Sequence, residues 1–175
     1  MLFRSASTGT LSYYLSSTGS SWNLASGVSM GTIVANKWMH VALVRNGTTV
    51  TPYIDGVAGT TTNVSTTAIY NGSWPVTFGG VSSYNLTGYI SNFRIVNGSA
   101  VYTTAFTPPT APLTAIANTV ALSAQSNGFT DRSLNNSTLT VSGATVSSAH
   151  PFTTVYQAGT PYYSTYFDGT GDYLT

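Results

Sequence analysis

"WMHVALVRNGTTVTPYIDG", Trp38 to Gly56, is two runs of β-forming residues on either side of an Asn-Gly pair. Asn46-Gly47 offers the positive φ angles that a type I′ turn demands, so the stretch predicts a β-hairpin. Val41 and Leu43 alternate with Ala42 and Val44, which makes both faces of the first strand apolar. That pattern predicts a strand in the middle of a packed structure rather than at a wet edge.

The same signals recur outward along the chain. "GYISNFRIVNG", Gly88 to Gly98, reads as a second strand group in which Tyr89, Phe93 and Ile95 share one face before Asn97-Gly98 turns the chain. "LSYYLSS" from Leu11, "TVALSAQ" from Thr119 and "STLTVSGATV" from Ser137 are further strand candidates. "FTPPTAPLTA", Phe106 to Ala115, cannot join a ladder at Pro108, Pro109 or Pro112 and reads as a rigid surface crossing. No window carries a helical period. Many short strands predict a β-sandwich or a closed barrel. A β-solenoid would repeat a short unit at a fixed period, whereas these turns arrive irregularly. The sandwich is the better reading.

The chain has 175 residues, a length suited to one ordinary domain. Only 5% are charged, against roughly 25% in ordinary soluble proteins, so hydroxyls and amides must keep the surface wet. A net charge of +1, with Arg4, Lys37, Arg45, Arg94 and Arg132 scattered, supplies no stripe to neutralise phosphates. Nucleic-acid binding is therefore not expected. Cysteine is absent, which removes disulfides, thiolate metal sites and thiol catalysis. No apolar run reads as a signal peptide or a membrane span, so membrane insertion is not expected either.

Taken as a set, "NKWMHVALVRNGTTVTPYIDGV", "LTGYISNFRIVNGSAVYTTAFTPPTAPLTA" and "YFDGTGDYL" resemble the concanavalin A-like lectin/glucanase superfamily. The closer likeness is to its laminin-G-like branch, as found in tail and fibre proteins of marine bacteriophages. It covers Leu11 to Ala115 and the last residues of the chain. The resemblance implies an antiparallel β-sandwich of the jelly-roll, laminin-G-like kind over residues 1–148 that lacks its usual first strands, a connector over 149–164, and the opening strand of a following or the same unit over 165–175. In such families "YFDGTGDYL" belongs to the first hairpin, ahead of the Trp-x-His strand. Two readings of Tyr166, Phe167, Tyr173 and Leu174 stay open: they complete their own sandwich as a circular permutation, or they complete a neighbouring subunit by strand exchange.

Paired carboxylates are the chemistry a glycosidase needs, and the chain holds no Glu and only Asp55, Asp131, Asp168 and Asp172. His40 and His150 are the only candidate bases, and neither stands near a Gly-x-Ser-x-Gly elbow. No catalytic residue is assigned. Asp168 and Asp172 flank "GTG" and could approach one weakly held Ca2+, or each could hydrogen-bond its own turn. No cofactor is required. Sugar binding needs flat rings beside amides and hydroxyls, and Trp22, Trp74, Tyr84 and Asn85 sit in such polar, loop-like settings. Trp38, Tyr53, Tyr89 and Phe93 read as core. The expectation is a non-enzymatic structural and adhesive module of a virion or cell-surface fibre that contacts host-surface polysaccharide and other fibre subunits, including copies of itself. The alternative is a self-assembling subunit without glycan binding.

Overall fold

The computed structural model describes residues 2–5, 9–81, 84–152 and 162–175. Residues 153–161 of the expected connector therefore lie outside the described residues. Among the described residues there is no helix, so none is long and apolar enough to cross a membrane. All strand pairs are antiparallel. The fold is all-β, as the turn-punctuated β-forming runs predict. The chain divides into two compact units, Met1–Trp74 with Ala100–Pro108, and Pro75–Ser99 with Pro109–Thr175.

The first unit holds β1 (Leu2–Ser5), β2 (Thr10–Leu15), β3 (Ala25–Thr32), β4 (Val41–Asn46), β5 (Thr49–Ile54), β6 (Val57–Ala58) and β7 (Thr62–Asn63). One sheet runs β1-β2-β3; the other runs β4-β5-β6, with β7 also on β5. Tyr13 and Leu15 from the first sheet and Val50 from the second meet in a core with Ala25, Met30 and Val64. Full burial of an apolar side chain of this size contributes about 1.5–3 kcal/mol. The Tyr13 hydroxyl keeps a polar partner in this core, Thr62 Oγ1 at 2.6 Å.

Two details of the hairpin correct the sequence reading. Only Gly47 has a positive φ, +59°, and Asn46 does not, so the turn follows the type II′ pattern instead of I′. The second correction concerns β4, which is an edge strand of its sheet and, among the described residues, pairs only with β5. None of its residues is fully buried, whereas Val50, Pro52 and Tyr53 of β5 are. Apolar residues on both faces identify a strand suited to the interior, but they do not say whether a neighbour is there to enclose it. Pro52 sits within an inner strand without penalty because its missing N–H points to the side where β6 and β7 part. There its carbonyl accepts Gly59 N at 2.8 Å, and the ladder resumes at Val50 with β7 and at Ile54 with β6.

Beyond β5 the chain turns at Asp55, φ +50°, and Gly56. A Cβ on Gly56 would fall on the Phe106 carbonyl carbon and oxygen. This close approach is held by Phe106 N donating to Gly56 O at 3.0 Å. Phe106 stacks on Tyr102 and packs on Tyr53, and both Phe106 and Tyr102 take the His40 ring edge-on. His40 is thus a packed imidazole in an aromatic cluster.

The second unit holds β8 (Gly80–Val81), β9 (Tyr84–Asn85), β10 (Thr87–Ile90), β11 (Phe93–Val96), β12 (Thr119–Ser123), β13 (Val141–Ser142), β14 (Thr145–Ser147), β15 (Ser164–Asp168) and β16 (Tyr173–Leu174). The expected single strand through "GYISNFRIVNG" is broken at Asn92, φ +60°. β10 pairs with β15, and β11 pairs with β12. The Asn92 side chain fixes the break, because Oδ1 accepts Leu113 N at 2.7 Å and Gln125 Nε2 at 3.0 Å. The break also places Tyr89 on an outer face, 47% exposed, which corrects its reading as core. β15 lies between β10 and β14, and β16 pairs with β13. Phe167 and Leu174, both fully buried, form the core with Ala144, against which Phe78, Leu86, Ile90 and Phe129 pack.

Candidate functional site

The loop from Ser16 to Asn23 joins β2 to β3, and its own polar side chains set its shape. Ser16 Oγ accepts the amides of Thr18 at 3.1 Å and Gly19 at 2.8 Å. Asn23 closes the base by accepting Ser17 N at 2.9 Å and donating to Ser17 Oγ at 2.8 Å. Short hydroxyl and amide side chains favour such local bonds over a ladder, which is why the strand ends here.

This loop carries Trp22, 44% exposed, whose ring lies 5.6 Å from the Tyr14 ring at 58°. Tyr70, half-exposed, enters from the segment after β7 and is tied down by its amide to Ser16 O at 2.8 Å. Its ring lies over Gly19 and Gly72, where a Cβ on either glycine would run into it. Tyr14, Trp22 and Tyr70 thus frame one hydroxyl-rich loop tip, with the side chains of Thr18, Ser20 and Ser21 exposed and hydrogen-bonded among themselves. Rings beside hydroxyls, without a charge, suit the faces of a neutral sugar.

Of the four residues chosen from sequence for sugar binding, only Trp22 joins this platform. Trp74 stands 88% exposed and makes no ring contact among the described residues. Tyr84 and Asn85 belong to the other unit, in the β8–β9 hairpin, with Tyr84 exposed and Asn85 half-buried. Tyr14 and Tyr70 escaped the sequence reading. Tyr14 sits inside a strand pattern whose neighbour Tyr13 is core, and Tyr70 is brought to the loop only by the backbone bond to Ser16. The double glycine contact of Tyr70 has its trace in "STGSSW" and "YNGSW", each of which puts a glycine within three residues of an aromatic.

The carboxylates are engaged by backbone amides. Asp55 accepts His40 N at 2.8 Å and Lys37 Nζ at 3.2 Å. Asp168 accepts Thr170 N at 2.7 Å, and Asp172, which is buried, accepts Asp168 N at 2.6 Å. In this geometry each carboxylate of "DGTGD" fastens its own turn. Among the described residues no three His, Asp or Glu side chains gather as metal ligands. Asp131, 4% exposed, accepts the amides of Leu122, Ser133 and Ser137 and the Ser133 hydroxyl, all at 2.8 to 3.0 Å. Burial by itself pushes its carboxyl up, and the hydrogen bonds overcome that and hold it below its ordinary value.

Phe167 and Leu174, two of the four residues considered for strand exchange, are core residues of the second unit. Tyr166 pairs with Tyr89 across the sheet, their rings 5.0 Å apart, and Tyr173 is exposed. The structure pairs both strands of this segment within their own chain.

A family model described as concanavalin A-like lectin/glucanases superfamily, of the laminin G type, matches residues 1–101. No curated protein and no solved structure matches the chain.

Proposed function

The chain belongs to the concanavalin A-like lectin/glucanase superfamily in its laminin-G-like form, and from that premise we propose a non-enzymatic adhesive module that binds surface glycans through the Tyr14, Trp22 and Tyr70 platform. Domains of this family are often carbohydrate-binding or adhesive modules. The platform itself carries the proposal, because it joins the exposed Trp22 and Tyr70 rings and the half-buried Tyr14 to uncharged hydroxyls at a loop braced by its own hydrogen bonds. The non-enzymatic part rests on the carboxylates, each of which is engaged in shaping backbone. The module would act in a virion or extracellular fibre and would require no cofactor. One shallow site binds weakly, so useful adhesion would come from many copies on one particle.

The test is a screen of immobilised, multivalent protein against surface polysaccharides, with Trp22→Ala and Tyr70→Ala beside the wild type. Losing one stacking ring should weaken a bound glycan roughly tenfold, while Trp74→Ala should leave binding within about twofold. Silence against every glycan, or binding indifferent to Trp22 and Tyr70, would leave self-assembly as the better reading.

A further inference from the structure

Strand β4 combines the composition of an interior strand with the position of an edge strand. Edge strands of monomeric proteins are commonly protected by a lysine, a proline, a bulge or an inward charge. Val41–Asn46 has no lysine or proline, and its register with β5 runs without a bulge. Arg45 is the one charge, and it is drawn to the turn end by hydrogen bonds to Gly47 O and Ser65 O.

The direction of the open backbone groups follows from the ladder. Asp55 N donates to His40 O at 2.8 Å, which makes that facing pair a hydrogen-bonded one. Bonded and non-bonded pairs alternate along an antiparallel ladder, so Ala42, Val44 and Asn46 bond to β5. Val41, Leu43 and Arg45 turn their N–H and C=O groups away from it. No described residue is paired to them on that side.

We propose that this edge pairs with the β4 of a second copy of the chain, antiparallel and centred on Leu43. In that register Leu43 faces the partner's Leu43, Val41 faces the partner's Arg45, and the small Ala42 lies opposite the partner's larger Val44. All three outward-turned residues then exchange both backbone bonds, no like charges face each other, and the sheet of one copy continues into that of the other. A two-fold contact of this kind closes on itself. The chain's +1 net charge opposes such an approach little. The edge is distinct from the glycan platform, so either can fail alone.

The experiment is light scattering of the full chain across a concentration series, with no glycan present, joined to hydrogen exchange at the Val41, Leu43 and Arg45 amides. A concentration-dependent dimer is expected, with those amides slowing as it forms. Val41→Pro removes one outward N–H per copy and leaves the bonds to β5 in place, so the dimer should weaken on the order of tenfold. Val41→Lys, which places a charge at the seam, should act in the same direction. A monomer at every concentration overturns the proposal. So does a dimer whose three amides exchange freely, or one that ignores both substitutions in variants shown to be folded by circular dichroism. If a substitution prevents folding, exchange in the wild type decides alone.

Discussion

The two units are built from the same short strands, yet they close in different ways. In the first, β1 to β3 and β4 to β6 pair mostly with their neighbours in sequence. In the second, β10 takes its partner from β15 near the end of the chain, and Phe167 and Leu174 from that end fill a core lined by Phe78, Leu86 and Ile90. Short connections lose little entropy on closing, whereas long-range pairing must bring distant segments together before their contacts repay it. A strand pattern can be read within a window, but a distant partner cannot.

Phe167→Ala tests that contrast with the largest effect. Phe167 is fully buried and touches the edge of Phe78, so truncation should cost about 3–5 kcal/mol. Hydrogen exchange should show β10, β14 and β15 losing protection while β2 and β5 keep theirs. Uniform loss across both units would break the comparison, because two separate cores would then melt as one.

A smaller effect is expected at Asp131, where the second unit relies on a buried charge instead of apolar packing. Asp131→Asn replaces one acceptor oxygen by an amide and should cost about 1–3 kcal/mol. The pH dependence has a definite sign. The folded carboxyl ionises below its ordinary value of 3.8, so the stability it contributes is present above that value. It is lost as pH falls from there through the lowered folded value. Denaturant titrations at neutral and at acid pH should show wild type and Asp131→Asn converging in acid. Parallel curves would mean that the charge contributes nothing.

The contrast also explains what the sequence disclosed. The β2 and β12 runs, the Trp38–Gly56 hairpin and the turn role offered for Asp168 were legible because each depends on residues a few positions apart. Tyr89 was misread because the face it shares with Phe93 exists only if the chain stays extended through Asn92, and the Leu113 amide and the Gln125 side chain, both distant in sequence, hold Asn92 in its turned form. Trp22 was visible as a ring in a polar loop. Tyr14 and Tyr70 were not, since their place beside that loop depends on packing and on one backbone bond to Ser16. The edge position of β4 was misread for the same reason: composition reports what surrounds a strand best, and topology decides what does.

The smallest effect belongs to the turn that closes the second unit, and it separates a backbone fastening from a cation site. Asp168 is exposed and accepts the Thr170 amide, a bond that an asparagine oxygen can also accept. Asp168→Asn should therefore change stability by no more than about 0.5 kcal/mol. A cation bound by both aspartates would behave differently. With a dissociation constant on the order of 1 mM, about 10 mM Ca2+ would stabilise the wild type by roughly 1.4 kcal/mol and raise its melting temperature, and the substitution would remove that gain. Thermal melts of both proteins with and without calcium decide the matter. If calcium moves neither, the carboxylates act as turn fasteners, and the long-range closure of the second unit needs no ion. A rise in the wild type alone would make that closure metal-dependent and would separate it further from the first unit, whose hairpins close on Gly47, Asp55 and Gly56.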